Sequence, residues 1–166
     1  KIVAGTLQFF KFKSMDEAVV VIPNLPLPFF AGRIVTEPLE IERSLKGEML
    51  KIWKDHAQFS WLQHVIVGKP DDWCHIIYKR GEFKGLPCSN LIYISDGQAF
   101  NRYLRCLSWY FFRQGMMSTH VERRVLTEVP KLSAIRTGFN AKQFLSTTLA
   151  ASDIDYLYSE TVALDL

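Results

Sequence analysis

The sequence has few cysteines, no long hydrophobic run and no strong excess of charge of either sign. Its three cysteines, Cys74, Cys88 and Cys106, form no CxxC pair, and an odd number without such spacing favours reduced thiols over a disulfide framework. The longest apolar stretches fall well short of the roughly 20 residues that span a bilayer. We therefore expect a cytoplasmic protein with no structural disulfide and no membrane span.

Three further absences narrow the class of protein. A net charge of +3 is too small to indicate a nucleic-acid partner, because such proteins concentrate Lys and Arg on one face to displace counterions. The four histidines and three cysteines lack the close, repeated spacing of zinc ligands, so no metal site is predicted. The N-terminus lacks both an initiator Met and a secretory leader pattern, which suggests trimming or a partial chain.

The residues that are present predict a globular α+β protein. Hydrophobic residues make up 48% of the 166 residues, which is enough to bury a core. An apolar hairpin is predicted within residues 2 to 22, turning at residues 14 to 17, and a proline-rich extended connection follows at residues 23 to 30. This pattern divides the chain into an N-terminal hairpin with its connection, residues 1–30, and a main module, residues 31–166.

The middle of the chain changes from helical to strand periodicity. Apolar residues at helical spacing predict one amphipathic helix from an N-cap at Thr36 to Ala57, with Gly47 in its interior. Short β-branched and aromatic runs between turn residues then predict a β-meander. Its strands cover residues 63–67, 73–78, 83–88 and 91–94, with turns at residues 68–72 and 79–82.

The last third of the chain predicts a buried helix followed by short elements. The helix has a wide apolar stripe and ends at Gly115, which suits a left-handed C′ position. Beyond it, the sequence predicts a strand over residues 116–126, a short helix from Pro130 through Arg136 that ends at Gly138, and a closing hairpin of residues 142–149 and 156–164.

The junction between the last meander strand and the buried helix, Ser95-Asp96-Gly97-Gln98, has two interpretations. A strand followed by a helix N-terminus can hold a phosphate on its backbone amides. The same residues suit a helix cap, with Ser95 or Asp96 as N-cap and Gln98 completing a capping box if Ser95 is the cap. The Asp96 carboxylate favours the helix-cap interpretation, because it places a negative charge where a phosphate would sit.

His120 and Glu122 are the best candidates for a general base. They lie two residues apart on a predicted strand, so both face the same side of the sheet and could activate an amine through a water. The alternative is a solvated strand face. Cys88 is a candidate nucleophile, and an inert thiol is the alternative.

Four consecutive aromatic residues, 109 to 112, lie in the buried helix. They exceed what one helix face can bury against a single layer. Either the helix is sandwiched on two sides within its own domain, or some of these residues contact a pocket, a second domain or another subunit, which could form a homodimer.

The order of elements and two short motifs resemble the GNAT superfamily of N-acetyltransferases. The segment YKRGEFKGL at residues 78 to 86 is similar to that family's glycine-containing strand turn, and LSAIRTGF at residues 132 to 139 is similar to its late helix ending in Gly-Phe. The resemblance covers about residues 38 to 166, and the chain looks like the degenerate C-terminal half of a two-module acyltransferase-like protein.

The resemblance implies a single mixed, mostly antiparallel sheet flanked by helices, with acetyl-CoA or another acyl-CoA lying where the sheet splays. Two departures from the family pattern favour a degenerate site. The family's glycine-rich loop is reduced to one glycine beside Asp96, and Ala134 stands where the family often has an acidic Tyr. The implied cofactor-binding residues are Ile94, Ser95, Gly97 and Gln98, with Glu122 and His120 as catalytic residues.

Two functions follow from these patterns. The first is transfer of an acyl group from acyl-CoA to a small-molecule amine. The second is a non-catalytic α+β module that binds a small molecule or a protein.

Overall fold

A computed structural model describes residues 13–26, 32–122 and 135–146. Its elements form two compact units, the larger comprising Val20–Arg136 and the smaller comprising residues up to Val19 and from Thr137 onward. The described strands are β1 (Lys13–Pro23), β2 (Arg33–Val35), β3 (Gln63–Lys69), β4 (Asp72–Phe83), β5 (Leu86–Ile94), β6 (Ser118–Glu122) and β7 (Ile135–Ser146). The described helices are α1 (Pro38–Ser44), α2 (Gly47–His56) and α3 (Gly97–Arg113).

The larger unit contains one mixed sheet in the order β2-β3-β4-β5-β6-β1. Strands β2 to β5 are antiparallel neighbours, while β5 and β6 are parallel. In the smaller unit, β7 is the neighbour of β1. The predicted α+β class, with a single mixed and mostly antiparallel sheet flanked by helices, is therefore confirmed.

The parallel pair is joined by helix α3. Parallel strands need a long crossover, and the 17 residues of α3 supply it. The parallel register runs from Cys88 opposite Ser118 to Leu91 opposite Val121. The predicted buried helix therefore connects β5 to β6 within one mixed sheet.

Helices cover both faces of the sheet because side chains alternate along each strand. On one face, α3 buries its apolar stripe against Val65, Val67 and other core residues. On the opposite face, Ile41 of α1 and Leu45, which follows α1, are buried with Ile66, and Trp53 of α2 packs against them. The predicted stripe is buried throughout, and its members are Phe100, Tyr103, Leu104, Leu107 and Phe111.

The single helix predicted from Thr36 to Ala57 is wrong, because the structure has two. Helix α1 starts after Glu37, which makes no side-chain capping bond, and α2 starts at Gly47. Gly47 has φ +57, a left-handed conformation that glycine adopts without steric cost. A Cβ there would meet no atom within 4 Å, so the glycine serves the backbone and not a close packing neighbour.

Two predicted turns are also wrong. Residues 14 to 17 lie inside β1, and residues 79 to 82 lie inside β4. The chain reverses at Lys84 and Gly85, whose φ values are +52 and +77. Residues 79 to 82 stay extended because they pair with residues 87 to 90 of β5, so strand pairing and not local propensity decided this stretch.

The short helix predicted to end at Gly138 is wrong for its described residues. Ile135, Arg136 and Gly138 all lie in strand β7, so the described part of the motif IRTGF is extended. Residues 130–134, including Ala134, lie outside the described residues, as do residues 123–126, 147–149 and 156–164 of the predicted strands. The described strand β6 falls within the predicted strand 116–126.

Candidate functional site

The strand-to-helix junction is tied to β4 through Ser95. The Ser95 N–H donates to the His75 carbonyl oxygen over 2.9 Å, and the His75 N–H donates to Ser95 Oγ over 2.9 Å. Ile94, one residue earlier, pairs with Ile76 and packs against the core. Two of the four predicted cofactor-binding residues therefore make structural contacts with the sheet.

Asp96 caps the helix that begins at Gly97. Its Oδ1 accepts the N–H groups of Gln98 at 2.8 Å and Ala99 at 2.9 Å. These first-turn amides are the donors that a helix N-terminus would offer to a phosphate. The predicted cap by Asp96 is confirmed, whereas a Ser95–Gln98 capping box does not form because Asp96 is the N-cap.

A β-bulge lies in β5, shortly before this junction. Ile77 is opposite Tyr93 and Tyr78 is opposite Leu91, so Ile92 is the extra residue of β5. The parallel register between β5 and β6 runs as far as Leu91, the residue before the bulge. A bulge bends its strand and raises the local twist, which places a distortion of β5 beside the parallel pair.

His120 contacts a serine that the sequence analysis missed. Its Nε2 lies 3.0 Å from Ser118 Oγ, and its ring meets the Phe83 ring edge-on at 4.9 Å between centroids. His120 is only 8% exposed, so a solvated strand face is wrong for this residue. Glu122 ends β6, and its side chain lies outside the described residues. A Ser-x-His spacing on one strand is the signal that could have found Ser118.

A half-buried histidine and a fully buried one, on adjacent strands, form a pair. His64 Nδ1 lies 3.2 Å from His75 Nε2, and the rings stack with centroids 5.5 Å apart. Burial lowers the pKa of His64 to about 4 and that of His75 to about 3, with the charge of neighbouring histidines as a second cause. Both imidazoles are therefore neutral at pH 7. Each interrupts an apolar strand run, which is the only sequence signal for the pair.

The three cysteines are free and buried. Burial raises the pKa of the Cys74 and Cys106 thiols, which keeps them protonated at neutral pH. Within the described residues, no three His, Cys, Asp or Glu side chains are grouped so that they could hold a metal ion.

A cleft of about 280 Å³ opens where the helices α1 and α2 meet the start of β3. Two tyrosines from the other side of the sheet also reach it, and the hydroxyl oxygens of Tyr78 and Tyr110 lie 3.2 Å apart. Burial raises the pKa of Tyr78, so its phenol stays protonated. The lining residues are Thr36, Pro38, Ile41, Trp53, Ala57, Leu62, Gln63, His64, Tyr78 and Tyr110.

The aromatic run of α3 is only partly buried within the larger unit. Phe111 is fully buried, and Tyr110 is half-buried against the same core. Trp109 and Phe112 stack on each other with ring centroids 6.1 Å apart and remain half-buried. A homodimer contact through this helix stays a prediction.

No helix in the described part of the chain is both long and apolar enough to cross a membrane. Comparison with protein-family models, with curated proteins and with solved structures found no significant match. The fold and the contacts described above are therefore the basis for assigning a function.

Proposed function

We propose that this chain has an acyl-CoA N-acyltransferase-like fold and that it binds a ligand without catalysing a reaction. The observation that carries the proposal is the bond pair from the Gln98 and Ala99 amides to Asp96 Oδ1, at 2.8 and 2.9 Å. The amides on which an acyltransferase-like fold would hold a pyrophosphate are engaged by the chain's own carboxylate.

Electrostatics oppose a phosphate at this junction. A pyrophosphate placed there would compete with Asp96 for the same donors and would be repelled by its negative charge. Ser95 offers no replacement, because its N–H and its Oγ both bond the backbone of His75. The junction therefore stabilises α3 and does not favour a phosphate.

An active acyltransferase is the second candidate, and the sheet topology favours it. The resemblance implies that acyl-CoA lies where the sheet splays, and the parallel β5–α3–β6 unit with the bulge at Ile92 supports such a slot. In that case, Ile94, Ser95, Gly97 and Gln98 would contact the cofactor, and His120 with Glu122 would activate a small-molecule amine.

A thermal-shift titration separates the two candidates. Ligand that binds only the native state stabilises it by RT ln(1 + [L]/Kd), so a binding-module role predicts no shift with acetyl-CoA or longer acyl-CoAs at millimolar concentration. Asp96→Ala frees two amides and should gain a shift with CoA, whereas Glu82→Ala, which removes an exposed carboxylate on β4, should not. A saturable wild-type shift together with acyl transfer to an amine would establish the second candidate.

A further inference from the structure

The cleft lies at a stretch of the sheet edge that no other described strand covers. Strand β2 pairs with Ile66, Val67 and Gly68 of β3 and stops at Val35. The first residues of β3, from Gln63, continue past that point, and within residues 13–26, 32–122 and 135–146 only β4 pairs with them. The first turn of α1 and the last turn of α2 line the gap. Strand β4 separates this edge from β5, so the cleft is distinct from the junction at Asp96.

The described residues that line the cleft carry no carboxylate, ammonium or guanidinium group. Its only titratable imidazole, on His64, is held neutral by burial at pH 7. A charged ligand would therefore lose hydration without gaining a counter-ion, which disfavours its binding. The cleft selects for a neutral molecule.

The size and the aromatic content of the cleft narrow the ligand further. A volume of about 280 Å³ lies at the small end of ligand pockets, which suits one aromatic ring with a short substituent. Trp53, Tyr78 and Tyr110 supply aromatic rings, and Ile41 and Leu62 supply apolar walls. Flat rings pack against such side chains in offset-stacked or edge-to-face arrangements.

The tyrosine pair supplies one directed polar contact. Each hydroxyl can donate one hydrogen bond and accept two, and the bond between Tyr78 and Tyr110 uses one of the two donors. One O–H therefore remains to donate to a ligand oxygen. Tyr78 is 1% exposed, whereas Tyr110 is half-buried, so Tyr110 is the more accessible partner.

We propose that this cleft binds a small neutral aromatic molecule that carries a hydroxyl or carbonyl oxygen. The inference rests on the proposed function as a binding module and names the class of its ligand. The tyrosine hydroxyl pair recognises the oxygen of the ligand, and the aromatic and aliphatic walls hold its ring.

Ligand-observed NMR titration with four probes of matched size tests the ligand class. Phenol and benzamide are the neutral probes, and benzoate and benzylamine are their charged counterparts. The wild-type protein should bind phenol and benzamide at least tenfold more tightly than the charged probes. Equal binding of the charged probes, or no binding of the neutral ones, would overturn the proposal.

Three variants locate the binding site. Ala57→Trp places a large ring in the cleft and should abolish phenol binding, while Leu86→Trp adds the same ring at an exposed site on β5 and should leave it unchanged. Tyr110→Phe should weaken the binding of phenol at least fivefold and leave the binding of toluene unchanged. Far-UV circular dichroism checks that each variant is folded. Undiminished phenol binding by Ala57→Trp would place the ligand elsewhere and contradict the proposal.

The same experiments distinguish failure of the cleft from failure of the proposed function. Acyl transfer by wild-type protein that continues in Ala57→Trp would refute the non-catalytic role and leave the phenol result standing. If the protein bound neither the neutral probes nor acyl-CoA, the ligand proposed for the cleft would be refuted. The conclusion that the junction at Asp96 does not favour a phosphate would stand.

Discussion

His64 Nδ1 and His75 Nε2 lie 3.2 Å apart on adjacent strands, in a pair of stacked rings that burial keeps uncharged. The pair makes the stability of the native state depend on pH. In the unfolded chain both histidines have the ordinary pKa of about 6.5, so below that pH the unfolded state binds more protons than the native state. Stability must therefore rise with pH over the range in which the two states differ.

The expected result is a loss of about 3 kcal/mol or more between pH 7 and pH 4, with little change above about pH 7.5. The window follows from native pKa values near 4 for His64 and 3 for His75. Urea unfolding at a series of pH values measures it. His75→Asn removes one titrating group and should flatten the slope below pH 6.5, so an unchanged slope would contradict the assignment.

Asn24→Ala is expected to destabilise the protein by about 2–3 kcal/mol. Asn24 is buried, donates from Nδ2 to the Met116 carbonyl oxygen at 3.0 Å and accepts from Thr119 Oγ1 at 2.8 Å. The variant removes one hydrogen-bond partner from the Met116 carbonyl oxygen and one from the Thr119 hydroxyl. Urea unfolding gives the free energy difference, and Ser44→Ala, which removes an exposed side-chain bond within α1, is the control. A cost below about 0.5 kcal/mol for Asn24→Ala would be inconsistent with a buried network.

Gly68→Ala is expected to cost several kcal/mol and to lower the yield of folded protein. Gly68 has φ +147, and a Cβ built there would collide with the Asp72 carbonyl oxygen and the Trp73 backbone. Gly85→Ala is the matched control, because Gly85 has φ +77 with open space around it and should cost only about 1 kcal/mol. Thermal unfolding compares the two variants, and equal costs would argue against a steric cause.

Asp96→Ala should destabilise the native state by about 1 kcal/mol, while Asp96→Ser should retain most of the stability. The reason is the pair of bonds that Asp96 Oδ1 accepts from the first turn of α3. Chemical denaturation measures both variants. If Ser and Ala proved equally destabilising, the capping bond would not be the source of the effect.

The sequence predicted features whose causes lie within a few residues. Asp96 caps amides two and three residues ahead of it, and α3 is recognisable from its own apolar period. The break between α1 and α2 was missed because helical periodicity continues across Gly47, whose backbone conformation the pattern does not reveal. The turns placed at residues 14 to 17 and 79 to 82 failed because strand pairing overrides local polarity.

Most of the candidate site could not be read from the sequence. The sequence shows only that Ser118 and His120 lie close together on one strand. Whether their side chains touch depends on the backbone twist and the side-chain rotamers. The His64–His75 pair required the register of β3 against β4.

By itself, the amino-acid sequence determined the α+β class, the position of α3 and its cap, because these depend on hydrogen bonds and periodicity between near neighbours in the chain. Only the tertiary structure decided the neutral histidine pair, the Asn24 network and the cleft. Tyr78 and Tyr110 are 32 residues apart, and Asn24 and Thr119 are 95 apart. Their contacts depend on which strands pair and in what register, and these are decided by burial of the whole core.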